Sequence, residues 1–192
     1  MLNLKSTPAP ANAPSIVKRA LEQLYRQPFG TAVPWPTATS AIEAERHHPV
    51  YELGLDTLAG GDGMAQARRS GSRYLLSQDG GLLAALEIAT DAQGVSASGI
   101  RSVNEGPMVA ATAQALERAA AWSGTAPSVY CLVRIAELRV CALQIKPDDE
   151  KYATYFWVME PAPPGLKTAL PYGEAELLAT LRHMAQANLR QR

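Results

Sequence analysis

Cysteine is nearly absent from this chain: Cys131 and Cys141 are the only two in 192 residues. Two thiols are too few for a disulfide scaffold or for a thiolate metal site built by this chain alone, so both are read as small core hydrophobes and no metal is expected. Net charge is absent as well. Eighteen basic residues balance eighteen acidic ones, and the pI near 6.8 leaves no field that would gather phosphates. Nucleic acid is thereby excluded as the expected partner, while the missing repulsion between copies favours self-association, with a homodimer as the expected form. There is no apolar stretch long enough to span a bilayer, so no membrane is expected. Residues 1–15 lack the apolar run of a secretion signal and are broken by Pro8, Pro10 and Pro14, which leads to the expectation of a cytoplasmic, reducing setting. Catalytic signatures are missing too: there is no Gly-x-Ser-x-Gly elbow, and Gly60-Gly-Asp-Gly63 is not followed by the Lys-Ser or Lys-Thr of a phosphate loop. No cofactor is expected.

What is present describes a folding chain, with 47% apolar and 19% charged residues. The Pro/Ala stretch up to residue 14 reads as a flexible tail, and residues 15–70 as a helical and looped N-terminal extension. In that extension a helix capped by Ser15 runs to about Gln27 on the stripe Val17, Ala20, Leu21 and Leu24. Ser40-Ala-Ile-Glu43 fits a capping box and predicts a short helix from Ala41 to His47, ended by Pro49. Tyr51, Leu53, Leu55 and Leu58 then suit either a strand start or a further helical turn. The glycine-bracketed piece holding Arg68 and Arg69 reads as a hinge.

Residues 71–192 carry a pattern stated twice, β-type sequence followed by an Ala-rich helix, at about 72–122 and 128–189. Tyr74–Gln78 and Leu82–Ile88 flank Asp79-Gly-Gly81, the signal of a tight hairpin. A third strand near Val95–Arg101 leads into a helix opened by Gly106 or Asn104 with Pro107 in its first position, running to Trp122. Its inward face is read as Met108, Ala111, Ala115, Ala119 and Trp122. Residues 128–146 are split into a hairpin near Ala136-Glu137, where a two-residue loop pairs Cys131 with Ala142 and a three-residue loop sets it opposite Cys141; a helix is the competing reading. An aromatic strand covers 152–160, and a last helix starts near Gly173 on Leu177, Leu178, Leu181 and Met184. The expected fold is therefore α+β: an antiparallel sheet of about five to six strands in two β–α units, with helices packed on the sheet.

Few residues stand out as binding candidates. Asn104 and Glu105 sit at a helix N-terminus, where free amides favour an anion, although Glu105 competes for those amides. Trp35, held between Pro34 and Pro36, is either a core plug or a stiff exposed anchor. His47 and His48 are adjacent, and on a helix they point about 100° apart, too divergent for one metal.

The run Asn104-Glu-Gly-Pro-Met-Val-Ala-Ala-Thr-Ala-Gln-Ala-Leu116, with His48-Pro-Val-Tyr-Glu-Leu-Gly-Leu-Asp56 before it and Pro161-Ala-Pro-Pro-Gly-Leu166 after it, resembles segments of uncharacterised bacterial proteins. The resemblance implies a bacterial cytosolic origin and transfers no functional residue. The order of elements is also similar, as topology only, to that of bacterial secretion chaperones and small scaffolding domains, although those chaperones are typically acidic. Two functions are expected to compete. One is a non-enzymatic protein-interaction module, self-associating through the aromatic strand 152–159 or the face near Trp35. The other is a small-molecule binder or enzyme with a pocket between the N-terminal extension and the sheet, using Asn104, Glu105 and His47 or His48.

Overall fold

A computed structural model describes residues 4–26, 42–123 and 127–191. Trp35 lies outside them. The described elements are β1 (Leu4–Lys5), α1 (Ala13–Arg26), β2 (Glu43–Glu52), α2 (Leu55–Gly60), β3 (Arg68–Gln78), β4 (Gly81–Thr90), β5 (Ala97–Asn104), α3 (Pro107–Ser123), β6 (Ser128–Ile135), β7 (Val140–Pro147), β8 (Tyr155–Val158), β9 (Tyr172–Gly173) and α4 (Glu174–Arg190). Hydrogen bonds join the strands in the order β5-β4-β3-β2-β6-β7-β8-β9, with β1 pairing to β6 off this path.

That sheet overturns the expected antiparallel platform of five to six strands in two β–α units. Among the described residues it has nine strands and is mixed, because both β1 and β2 run parallel to β6. The main cause is β2. The predicted helix from Ala41 to His47 rested on the capping box Ser40-Ala-Ile-Glu43, a local preference; long-range strand pairing overrides it, and residues 43 to 47 lie in β2 instead. On its β6 side the ladder begins only at Val50, so the missing N–H of Pro49 falls before that pairing. The predicted hinge is likewise replaced by strand from Arg68 onward. Nor do residues 4–12 hang free: Leu4 and Lys5 pair with Ser128 and Val129, and Ala11 donates to the Val95 carbonyl.

The chain divides into two compact units, Met1–Lys5, Val50–Arg68 and Ala111–Arg192 in one, and Ser6–Pro49 and Arg69–Ala110 in the other. In the first, Leu53, Leu58, Ile135, Ala142, Phe156 and Val158 share a core with Leu177, Leu181 and Ala185 of α4. Arg182 donates to the Gly61 carbonyl at 2.7 Å, tying α4 to the end of α2. The 128–146 hairpin forms, but around a four-residue connection, a single 3₁₀ turn at Ala136–Leu138 plus Arg139 at φ 54°. Register follows from it: Cys131 lies opposite Gln144 and Cys141 opposite Arg134, so neither predicted cysteine pairing occurs. Cys131 instead donates to Gln144 Oε1 at 3.1 Å.

In the second unit α1 presents Ala13, Ile16, Val17, Ala20, Leu21 and Leu24 to Tyr74 and Leu76 of β3 and to Ala84, Leu86 and Ile88 of β4. This is the predicted stripe at helical spacing, although Ser15 lies inside the helix and donates back to the Asn12 carbonyl. Asn12 also binds across to β5, where its side-chain amide donates to the Ala97 carbonyl at 2.6 Å and accepts from the Ala97 N–H at 2.7 Å. It thereby stands in for a strand at the outer side of β5. The β3–β4 turn carries Asp79 at φ 50° and Gly80 at φ 76°, the two consecutive positive φ values that a two-residue hairpin turn demands.

Candidate functional site

Side chains alternate across a strand, so His47 and His48 on β2 point to opposite faces and enter different surroundings. His48 is fully buried beside Arg73, and its pKa is pushed down to about 3, first by desolvation and then by the charges of Arg73 and His47. Arg73 stands directly opposite Glu87, and Glu87 directly opposite Ser102. The row continues as Ser102 Oγ meets Glu87 Oε2 at 3.5 Å and Asn104 Nδ2 donates to Ser102 Oγ at 3.1 Å. Two of the candidate residues, His48 and Asn104, thus lie along one polar row, in which His48, Arg73 and Glu87 are buried and Ser102 and Asn104 half-buried. A row of this kind fixes strand register. Glu105 is half-buried just beyond β5, in the connection to α3.

The other face is different. His47 stacks on Tyr74, ring centroids 5.3 Å apart at 23°. Hydrogen bonds to the backbone of Pro8 and Thr7 hold the imidazole, and burial outweighs them, lowering its pKa. Tyr74 is only 6% exposed, and its hydroxyl has no hydrogen-bond partner. Burial raises the pKa of that phenol, with Arg69 pulling the other way. Arg69 reaches the same place from the start of β3: its Nη2 donates to Ser72 Oγ at 3.3 Å while its Nε is buried and unbonded. The Arg69 guanidinium occupies the space that a side chain on Gly94 would fill, which explains a glycine at that loop position, φ 71°. Thr7 Oγ1 and His47 Nε2 are also buried without partners. Unbonded buried polar atoms are rare, and each costs on the order of 1–3 kcal/mol, so this grouping calls for an explanation.

A groove of about 430 Å³ opens beside this cluster, lined by Pro14, Val17 and Leu21 of α1 with Ala44 and Tyr74, and rimmed by Lys18 and Glu22. A second hollow of about 380 Å³ lies along the other flank of α1, between Ala20, Gln23 and Leu24 and residues 100–103 of β5. In the first unit, Trp122 at the end of α3 is 59% exposed and meets Trp157 of β8 edge-on at 6.2 Å. Arg118 and Trp157 Nε1 both donate to the Thr168 carbonyl there, and with Ala121 and Ala169 they line a shallow hollow of about 360 Å³. Trp122 is therefore not part of the buried face of α3; Val109, Ala111, Thr112, Ala115, Leu116 and Ala119 are. Asn104 and Glu105 line none of these three hollows.

Sequence reasoning missed Tyr74 and Arg69 as site residues. Alternation along β3 does put Tyr74 on the same face as Leu76, but whether its hydroxyl finds a partner is a property of neighbours from β2 and the N-terminal stretch. Among the described residues no group of three or more His, Cys, Asp or Glu side chains is placed to hold a metal, and no helix is long and apolar enough to cross a membrane. No protein-family model matches the chain, and neither a curated protein nor a solved structure matches it significantly.

Proposed function

We propose that this chain is a non-enzymatic binding protein whose site is the groove between α1 and the sheet of the second unit. The observation that carries this is Tyr74, a buried residue that lines an apolar groove and keeps an unbonded hydroxyl. A concave, mostly apolar site with one or two polar groups is the usual form of a small-molecule site, and the groove has the volume for a ligand of drug size. The test uses the fluorescent probe 1-anilinonaphthalene-8-sulfonate on the folded protein. Saturable one-to-one binding, lost when the groove is filled by Ala44→Phe in a chain whose circular dichroism is unchanged, is the expected result. Probe binding that ignores the substitution, or no binding at all, refutes the reading.

A second reading rests on a separate observation, the exposed Trp122. An exposed tryptophan backed by a second one and flanked by arginine has the composition of an interface anchor. That composition supports assigning the self-association expected of the aromatic strand to Trp122, Trp157 and Arg118. Light scattering over a concentration series decides it. A dimer converted to monomer by Trp122→Ser supports this reading, and a wild-type monomer throughout the micromolar range ends it.

A further inference from the structure

We infer that the groove takes a small amphipathic carboxylic acid, its carboxylate received by Arg69, Tyr74 and Thr7 and its hydrocarbon part lying along Val17 and Leu21. This rests on the groove reading above and adds the chemistry of the ligand. Three features lead to it.

The first is an uncompensated cation. Arg69 is part-buried, makes one hydrogen bond to a neutral hydroxyl, and has no carboxylate partner among the described residues. A guanidinium withdrawn from water normally finds an acid, because removing a charge from water without a counter-charge is expensive. The second is the surplus of donors. Arg69 Nε is donor-only, Tyr74 Oη and Thr7 Oγ1 can donate, and all three are unbonded. Arg69 acts electrostatically on both His47 and Tyr74, and the Thr7 backbone acts on His47, so all three donors neighbour the His47–Tyr74 stack, of which Tyr74 lines the groove. A carboxylate brings only acceptors, enough for all three, and charge-assisted bonds of this type are the strong ones. The third is the wall. Val17, Leu21 and Pro14 are apolar, which suits a hydrocarbon tail and does not suit a phosphate or a sugar. Lys18 on the rim adds a second cation, and Glu22 beside it opposes the anion.

The Tyr74 hydroxyl lies beneath the surface, so the head group is admitted by movement of His47 and Arg69, both part-exposed. The competing occupant is a buried water, which satisfies two or three of the same atoms and needs no groove.

The experiment titrates the full chain with octanoate and with octanamide, its uncharged isostere, by calorimetry. It also records the carboxyl resonance of carbon-13-labelled octanoate, which reports the environment of the head group directly. Expected are octanoate binding at least tenfold tighter than octanamide, a shifted carboxyl resonance, and a tenfold or greater loss of octanoate affinity in both Arg69→Gln and Tyr74→Phe. In those variants octanamide affinity changes far less, which separates loss of the head-group site from loss of fold. Equal affinity for the two ligands, both displaced by Ala44→Phe, overturns the carboxylate and leaves the groove standing. Binding of neither ligand, with neither displacing the anilinonaphthalene probe, overturns the carboxylate and leaves only the buried water; if that probe also fails to bind, the groove falls with it.

Discussion

Acid should weaken this protein through one histidine. His48 is fully buried, and its folded pKa near 3 lies well below the 6.5 of an unfolded chain. Above pH 6.5 both states hold it neutral and it contributes no pH dependence. As pH falls through 6.5 the unfolded chain gains a proton that the folded chain refuses, so stability drains away progressively until pH nears 3. The slope is about 1.4 kcal/mol per pH unit, and by pH 5 the loss attributable to His48 reaches about 2 kcal/mol. No discount for solvent screening applies, because the ring is sealed from water. Urea unfolding of the wild type and of His48→Gln near pH 7.5 and near pH 5 measures it. Whatever the substitution costs by itself cancels in the comparison of pH values. The wild type should lose about 2 kcal/mol more than the variant, or roughly 4–8 °C in Tm for a chain of this size. Parallel pH profiles for the two proteins would refute the assignment of a buried neutral imidazole.

Replacing Glu87 by Gln leaves Arg73 buried opposite a neutral group and should cost about 3–5 kcal/mol, with the double replacement Arg73→Met, Glu87→Leu recovering most of it; chemical denaturation of the three variants checks both halves. Gly71 should tolerate nothing larger, because a Cβ there runs into the Ile88 carbonyl of the neighbouring strand, so Gly71→Ala lowers the denaturation midpoint by the equivalent of about 2 kcal/mol or more. Ala115 is buried on α3, and Ala115→Leu should lose about 1–3 kcal/mol by overpacking; an unchanged midpoint would show spare room there. Mild oxidation should leave an intramolecular disulfide undetectable by mass spectrometry, since Cys131 and the Cys141 partner Arg134 lie three residues apart, about 10 Å along the strand and on opposite faces.

The elements readable in advance are those whose cause is local. The stripe of α1 at 17, 20/21 and 24, the Asp79-Gly80 turn, the Gly106-Pro107 helix start and the α4 face each rest on residues a few positions apart. A hollow does lie between α1 and the sheet, and His47, named in advance, stacks on Tyr74 at its edge. Its placement on a helix was wrong, because Ser40-Ala-Ile-Glu43 satisfies a capping rule that β2 never uses. Tyr74 and Arg69 were read as strand and hinge residues and not as site candidates, since their isolation depends on what fails to reach them, and an unbonded atom leaves no mark on its own neighbours in sequence.

Periodicity and turn chemistry were enough to establish an α+β chain, the positions of three of its helices, and the absence of a charge field. Parallel pairing of β1 and β2 with β6, the nine-strand order, the four-residue β6–β7 connection, and the gathering of Thr7, His47, Arg69 and Tyr74 were settled by folding. The reason is energetic: local preferences amount to tenths of a kcal/mol per residue, whereas buried strand pairing and apolar contact contribute whole kilocalories and join residues that are far apart in the chain.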